Sequence, residues 1–586
     1  MPQTRSDDQK IKGQGDPPGP NNATQGQVVT GNAHHGLEYP DLDLQSHQIR
    51  ILHLLPGNYS NPLRCVLRTE FLDAGPSYQA LSYVWGDPLD CRSIEVNGRQ
   101  VNVTVNLFNA LRRLRYSDSE RNLWVDALCI NQDNNAEKSH QVKLMSKIYT
   151  RTTEAILWLG DFSDGTNATP NCIPRETVMT AFDLLKFMAR DSYGCAEADS
   201  DPNTELFSGG YADLSCLMEL PWWYRAWTVQ ETVLPTDATV ICGTAQLPFY
   251  LLIAAHNNSL DHFFINCCRR VVVPGSFWSH LQKLIYAKEC LGRETLFMAN
   301  VFNNFRDRNA SDPRDKMYAY LGLGSNISAD YTLPHEEAFT LGVRCLIEEF
   351  GTLDIILRAA EANRSLSLPI WVPDWSADID SQDYGLELAW LNVYRLYAAC
   401  GDKKVQTRIS YSNRVLDLQG LILEPIVELG DVLDSIGSMK RMVDKWQSVS
   451  RDQYPQGGEY QEASWRTLLG DISHEQGFQK RLGKGDNAEA MAVNEFEHYP
   501  SCVTFAAYNK KGFITETGMI GISNLDMKVG DFISVLSGGK MPFILRQIKS
   551  EEGRVGYQYI AQAYVHGIMD GEMLDKNLEF EWISLV

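Results

Sequence analysis

The stretch from Leu123 to Gln132, LWVDALCINQ, decides how the chain is read. It is an apolar run short enough for a buried strand, with one carboxylate, Asp126, inside it and polar amides at its end. The segment that follows, DNNAEKSHQVKLMSKIYTRTTEAILWLGD (133–161), sets Val142, Met145, Ile148 and Tyr149 at helical spacing. A second apolar run, Ala155 to Leu159, comes next. Strand, helix, strand is a βαβ unit, which brings parallel pairing and helices that cover the sheet. An ionised carboxylate inside a buried strand is costly unless it is paired or hydrogen-bonded. Asp126 therefore has a designated partner or lies at the strand's carboxyl end, where open α/β sheets bind ligands. The plainer alternative is a carboxylate that caps neighbouring backbone N–H groups.

Working outward, 586 residues are too many for one core and predict about three or four domains. An apolar fraction of 44% and an aromatic fraction of 10% are those of a globular protein. With 53 Lys and Arg against 74 Asp and Glu, the formal charge is −21. That surface, without clustered Lys and Arg, argues against unspecific binding to nucleic acid or anionic membranes. Thirteen cysteines scattered without CxxC pairs fit reduced thiols better than a disulfide framework. No run of about 18 apolar residues and no apolar leader is present, so the expectation is a cytoplasmic protein without a membrane segment.

Residues 1–45 are rich in Gly, Pro, Gln, Asn and Asp and predict a disordered leader. IRILHLL and LRCVLRTEFL, around a PGNYSNP turn, predict two short strands. YQALSYVWGD (78–87) predicts another, closed by Gly86 and Pro88. SIEVNGRQVNVT reads as a hairpin across Asn97-Gly98, and Asn106 is placed to cap the helix that carries Leu107, Ala110, Leu111 and Leu114. After a loop at 161–175, Val178, Phe182, Leu185 and Met188 mark a further helix, with a second loop to about Gly210. Leu214 to Val233 has helical character, and TDATVICGTAQLPF reads as a hairpin or terminal strand. Residues 250–360 are helical by pattern, and PIWVPDWS (369–376) is a Trp-rich turn bounded by prolines. Beyond it, period-two alternation predicts a small, partly open β-barrel, interrupted by a mobile insertion near 450–495.

Several of these stretches together resemble the heterokaryon-incompatibility (HET) domain of filamentous fungi. They are YQALSYVWGDP, SIEVNGRQVNVTVNLFNALRRLR, LWVDALCINQDNNAEKSHQVKLMSKIYTRTTEAILWLGD and WWYRAWTVQE. DPRDKMYAYLGL and GDFISVLSGGKMPFILR…AYVHGIMDGE are similar to segments that accompany the domain. The resemblance implies a fold class of α/β type. An N-terminal HET domain (46–245, core 78–235) has a TIR-like, mainly parallel sheet flanked by helices. A helical region (246–365) and a β-rich, barrel-like region (366–586) follow. It also implies a part in fungal allorecognition, where fusion of unlike hyphae leads to programmed cell death through a protein partner or self-association, including as a homo-oligomer.

The order of the blocks further resembles TIR domains, which serve as signalling scaffolds or cleave NAD⁺. ALSYVWGDP is similar to the first TIR strand and its loop, and LWVDALCINQ to the second strand. Trp227-x-x-x-Glu231 is similar to the spacing that holds the catalytic glutamate of NAD⁺-cleaving members. The long insertion between about 161 and 215 departs from a compact TIR domain. On this resemblance Glu231 is the catalytic candidate. Trp85, Asp87, Asp126, Asn131, Gln132, Asp133, Arg225 and Trp227 are the substrate-binding candidates, and NAD⁺ is the substrate, with no further cofactor. On a helix Trp227 and Glu231 share a face, and one carboxylate suffices to stabilise an oxocarbenium-like state when a neutral nicotinamide departs.

Each candidate has a plainer reading. Trp227 is a core anchor and Glu231 pairs with Arg225. Asn131, Gln132 and Asp133 cap the helix that starts near Asn135. Trp85 and Asp87 close a strand. Cys129 is a buried inert thiol. His256, His262, Cys267 and Cys268 match no tetrahedral zinc spacing. Gly322-Leu323-Gly324 is a helix end rather than a phosphate loop, and Trp222 and Trp223 anchor helix packing or a partner surface.

Overall fold

The computed structural model describes residues 37–163, 172–190, 204–265, 275–291, 297–357, 359, 364–377, 393–449, 453–475, 478–498, 506–549, 555–576 and 578–586. Most of the expected leader, residues 1–36, thus lies outside the described residues.

The N-terminal sheet is built from β1 (Gln48–Leu54), β2 (Arg64–Phe71), β3 (Gln79–Tyr83), β4 (Cys91–Val96), β5 (Arg99–Thr104), β6 (Arg121–Trp124), β7 (Glu154–Ser163), β8 (Cys172–Pro174), β9 (Ala238–Cys242) and β10 (Ala245–Pro248). Its order is β10-β9-β7-β3-β6-β1-β2-β4-β5, with β8 beside β7. The centre, β9-β7-β3-β6, is parallel; β10 with β9, β1 with β6 and β2, and β4 with β5 pair antiparallel, and a short parallel contact joins β4 to β2. The parallel character thus belongs to the middle of a mixed sheet. Within it, β6 and β7 are not adjacent: β3 inserts between them, so the βαβ unit spans one strand position.

Helices cover both faces. Ser82 pairs with Leu157, so the next residue of β7, Trp158, points to the opposite face. Trp158 meets α1 (Val105–Leu114) through its indole bond to Asn106, while Ser82 meets α6 (Thr228–Val233) through Glu231. The hairpin forms where expected, because Asn97 and Gly98 both take positive φ, 53° and 76°, as a two-residue primed turn requires.

Asn106 is no cap. Thr104 is the residue before α1, and Asn106 lies inside the helix, donating to Val84 O at 2.6 Å and accepting from Trp158 Nε1 at 2.9 Å. Its amide satisfies two buried groups from the sheet, which outweighs a cap exposed to water. The strand in LWVDALCINQ is also shorter than its apolar run. β6 stops at Trp124, and Asp126–Cys129 turn into the short helix α2, leaving Asp126 just past the strand. α3 (Asn135–Arg151) begins at Asn134, whose side chain accepts from Ala136 N and Glu137 N. Its Met145, Ile148 and Tyr149 are buried, and Val142 is half-buried.

α4 (Arg175–Arg190) buries Val178, Phe182, Leu185 and Met188, and α5 (Thr204–Met218) follows. The stretch 214–233 is broken rather than one helix: α5 ends at Met218, Pro221–Tyr224 form a 3-10 turn, and α6 starts at Thr228. Pro221 opens that turn, as its missing N–H favours. The helices α7 (Phe249–Ile265), α8 (Gly275–Cys290), α9 (Phe297–Asn304), α10 (Asp315–Leu321) and α11 (His335–Phe350) then pack against this domain. Ala226 N donates to Asn309 O at 2.9 Å, and Arg308 Nη1 donates to Thr228 Oγ1 at 3.1 Å. One contiguous apolar core runs from Ile49 through Trp371 to Leu585.

The C-terminal strands are β11 (Thr407–Arg408), β12 (Leu416–Val432), the short hairpin β13 (Ile472–Glu475) and β14 (Phe478–Arg481), β15 (Lys511–Thr515), β16 (Ile520–Ser523), β17 (Phe532–Leu536), β18 (Phe543–Lys549), β19 (Val555–Val565) and β20 (Glu581–Leu585). The barrel is closed rather than partly open. β12 pairs with β17 along its first half and with β15 along its second, completing the ring β12-β15-β16-β19-β18-β17. The switch happens at Pro425, beside the register shifts, where a residue without N–H leaves the ladder. Leu421, Ile426, Phe513, Ile533, Val535 and Ile544 share one apolar cluster of this region. Gly521 is required there, since a Cβ would lie 2.3 Å from the Phe513 ring and 2.5 Å from Tyr564 O. Of the stretch expected as an insertion, Tyr460–Leu469 is a helix that buries Leu468 and Leu469, and it packs with the helix Ile436–Gln447 in a further core.

Candidate functional site

The parallel strands β3 and β6 end side by side, and the chain leaves them as Val84-Trp85-Gly86 and Val125-Asp126. This is the carboxyl edge at which open α/β sheets bind ligands. Trp85, 39% exposed, donates its indole N–H to Asp126 Oδ2 at 2.8 Å. Arg225 leaves the 3-10 turn before α6 and reaches the same oxygen at 3.5 Å. Its guanidinium also lies 5.7 Å from the centre of the Trp85 ring and donates to Tyr83 O. Asp126 Oδ1 accepts from Ala127 N at 2.7 Å. The Asp126 carboxylate therefore has side-chain partners, Trp85 and Arg225, and also caps a local backbone N–H.

Glu231 lies beneath this pair and is 2% exposed. Its carboxylate accepts from the Ser82 hydroxyl, which in turn accepts from Trp222 Nε1 at 3.0 Å. Burial pushes the Glu231 carboxyl up to about 7; the Arg225 charge and the Ser82 bond oppose the rise, and the Asp126 charge adds to it. Tyr83 and Tyr149 close the cluster, and burial with the neighbouring carboxylates holds both phenols far above their ordinary range. The result is a column of side chains from surface to core: Trp85, then Asp126 with Arg225, then Glu231 with Ser82 and Trp222. A carboxyl that titrates near neutrality is suited to exchange a proton.

Four of the predicted residues, Trp85, Asp126, Arg225 and Glu231, are thus brought together. Trp227 is not aligned with Glu231: it faces Asp315 of α10, whereas Glu231 faces Ser82 on β3. Trp227 opens α6 as the residue before its first turn, and a packed α10 draws the indole away from the sheet. The ion pair of Arg225 is with Asp126 rather than with Glu231. Asp87 is exposed and accepts from Leu89 N at 2.8 Å, a turn-closing role. Asn131 Oδ1 accepts from Asp133 N at 3.2 Å, and Gln132 Nε2 donates to Asp126 O at 3.1 Å. These residues shape the loop before α3, and Gln132 alone touches the cluster.

Ser82, Tyr83, Tyr149 and Trp222 escaped the sequence reading. Ser82 had a signal, being the one small polar residue in the buried run Ala80–Tyr83. Trp222 and Tyr149 had none beyond their apolar character, because only packing shows where their polar atoms go. The Cys129 thiol is buried and pushed up to about 12 by that burial. His256 is buried against Phe277 and Trp278, while Cys267 and Cys268 lie outside the described residues. Among the described residues no cluster of His, Cys, Asp and Glu is placed to hold a metal ion, and no helix is long and apolar enough to cross a membrane. Gly322 ends α10 and has no room for a Cβ, which would lie 2.2 Å from Gln230 Oε1.

Comparison with known proteins agrees with this architecture. Residues 78–231 match the family described as Heterokaryon incompatibility protein (HET), and residues 479–583 match the Het-6 beta-barrel domain. Heterokaryon incompatibility protein 6, OR allele, of Neurospora crassa is 25% identical to the chain, over 94% of this chain and 98% of that protein. No solved structure is significantly similar. The chain is thus similar to a HET domain over part of its N-terminal mixed sheet and to a Het-6 barrel over its β-rich end, in the same order as in that relative.

Proposed function

We propose that this protein acts in heterokaryon incompatibility, restricting growth after fusion of unlike hyphae by bringing on programmed cell death in the cytoplasm. The observation that carries the reading is the similarity to an incompatibility protein along nearly the whole chain, HET domain and barrel in the same order. In this reading the trigger is a protein, either a product of the unlike strain or further copies of this chain. The test is to express the chain in a filamentous host and fuse it with the untransformed parent and with unlike strains. Arrested growth of particular fusions supports the reading. Normal growth of every fusion, with the protein accumulated, overturns it.

A second layer concerns mechanism. The Glu231 carboxyl near pH 7, below the Asp126–Arg225 pair and the half-open Trp85 face, favours hydrolysis of NAD⁺ over a purely structural part. Water adds to the anomeric carbon of the nicotinamide riboside, the C–N bond breaks, and its electron pair leaves with neutral nicotinamide. The water proton passes to Glu231, and ADP-ribose is the other product. Trp85 offers a ring on which a planar base stacks. In the arrangement described here Glu231 is covered, so the reading requires assembly or partner binding to move Arg225 and expose the carboxyl. Inducible expression of the wild type and Glu231→Gln, with NAD⁺ and viability followed together, separates this from a scaffold that only self-associates. Loss of NAD⁺ and of death in the variant supports hydrolysis; undiminished death with steady NAD⁺ leaves the scaffold.

A further inference from the structure

Away from the HET domain, a cavity of about 710 Å³ opens between the Pro-bounded turn 364–376 and the edge of the barrel. The charged side chains that line it are Arg364, Arg408, Arg414 and Asp417, with Val586 and its α-carboxylate also on the wall, so cations outnumber anions there in a chain whose net charge is −21. Asp417 is already committed. It accepts from the Ser584 hydroxyl, and Arg408 Nε approaches it at 3.4 Å. Arg408 in addition lies 4.7 Å from the centre of the Trp582 ring.

The other two cations, Arg364 and Arg414, form no ion pair among the described residues, although the Asp374 charge acts on Arg364. Arg364 uses Nη2 to donate to Pro369 O and Val372 O, both at 2.8 Å, and its buried Nε has no partner. Arg414 donates only Nη1, to Ser367 O at 3.0 Å. The nearest carboxylate, Asp374, is consumed by its own loop: it accepts from Ser365 N, Leu366 N and Ser376 N as well as from the Ser365 and Ser376 hydroxyls. Burial lowers the basicity of Arg364; the Asp374 charge opposes that and the Arg414 charge adds to it. Both arginines are fixed by the fold. Arg364 pins the turn, and the chain at Arg414 is anchored by Trp371 Nε1 donating to its carbonyl at 3.0 Å.

We propose that this cavity is a binding site for a small organic phosphate, with Arg364 and Arg414 as its phosphate clamp. Two unpaired guanidiniums match a doubly charged phosphate better than a single carboxylate, and their planar forks suit its oxygens. The volume is that of sites for nucleotide-sized ligands. Leu368, Ile370 and Val415 offer an apolar wall, and Tyr411 stands 57% exposed at the rim, so the ligand carries an apolar or aromatic body beside its phosphate. A free molecule is favoured over a lipid headgroup, because the site is concave and the chain's net charge of −21 repels an anionic bilayer.

The test is calorimetric titration of the full chain at low salt with ADP and with inorganic pyrophosphate. Expected is saturable one-site binding of both, weakening as salt is raised. Arg414→Glu, on an exposed side chain, is expected to weaken it roughly tenfold or more. Arg364→Lys keeps the charge, loses the fork and is expected to weaken pyrophosphate less than Arg414→Glu does; its folding is checked by thermal melting. Absence of binding by either probe overturns the proposal, as does equal binding by wild type and Arg414→Glu. Binding to phosphatidylinositol-phosphate vesicles without binding to ADP or pyrophosphate overturns it too.

Discussion

Two of the chain's arginine-centred clusters handle charge in opposite ways. At the end of β3 and β6, Arg225 has a carboxylate at 3.5 Å and a second one, Glu231, close enough to shift, and the inner members are shut off from water. At the barrel edge, Arg364 and Arg414 have only carbonyl partners and face an open cavity. Burial forces the first cluster to be balanced, since an unpaired charge in the interior costs several kcal/mol. The second is wet, so imbalance is tolerated there and remains available to a ligand. A matched buried cluster must be rearranged before it can act, whereas an unmatched open one is ready to bind.

The difference breaks most readily at Arg225. Replacement by Leu leaves Asp126 and Glu231 facing each other without a cation, and a loss of about 3–5 kcal/mol is expected in urea unfolding. A change below about 1 kcal/mol would mean that the cluster is already solvated. Next comes Glu231. In the folded chain it keeps its proton to about pH 7, against its ordinary 4.5 when unfolded. The folded state thus binds more protons between those values, and stability declines as pH rises through the window. Glu231→Gln is expected to lack the decline, a difference on the order of 3 kcal/mol between about pH 4 and pH 8. Matching slopes for variant and wild type would place the titrating group elsewhere.

Smaller effects sharpen the contrast. Trp85→Phe keeps the ring over Arg225 but removes the indole bond to Asp126, for an expected cost of about 1 kcal/mol. Arg414→Gln is expected to move stability by about 0.5 kcal/mol or less, because its side chain is exposed and its only like-charge neighbour is relieved by the change. A large loss there would make Arg414 a structural residue instead of a free one.

Much of the fold was legible because it rests on local rules. Asn97-Gly98 specifies its turn by backbone preference alone. The apolar spacing of α3 and α4 is likewise a property of neighbouring residues. The misread elements depended on distant partners. Asn106 looks like a cap until Trp158 and Val84 claim its amide. Residues 214–233 look like one helix until Pro221 turns the chain. In the candidate site, Asp126 and Trp85 could be placed from strand ends, whereas Tyr149 and Trp222 became visible only through packing. The pairing of Trp227 with Glu231 followed from spacing, and Asp315, almost a hundred residues on, overrode it.

By itself the sequence determined the resemblance to HET-domain proteins, much of the strand and helix order, and a carboxylate at the end of a buried strand. Only tertiary structure decided which charges meet. It set Arg225 on Asp126 rather than on Glu231, closed the barrel through the two halves of β12, and left Arg364 and Arg414 without an ion pair among the described residues. The reason is physical: secondary structure follows short-range sterics and periodicity, while the energy of a charge depends on solvent exclusion and on neighbours that only the folded chain assembles.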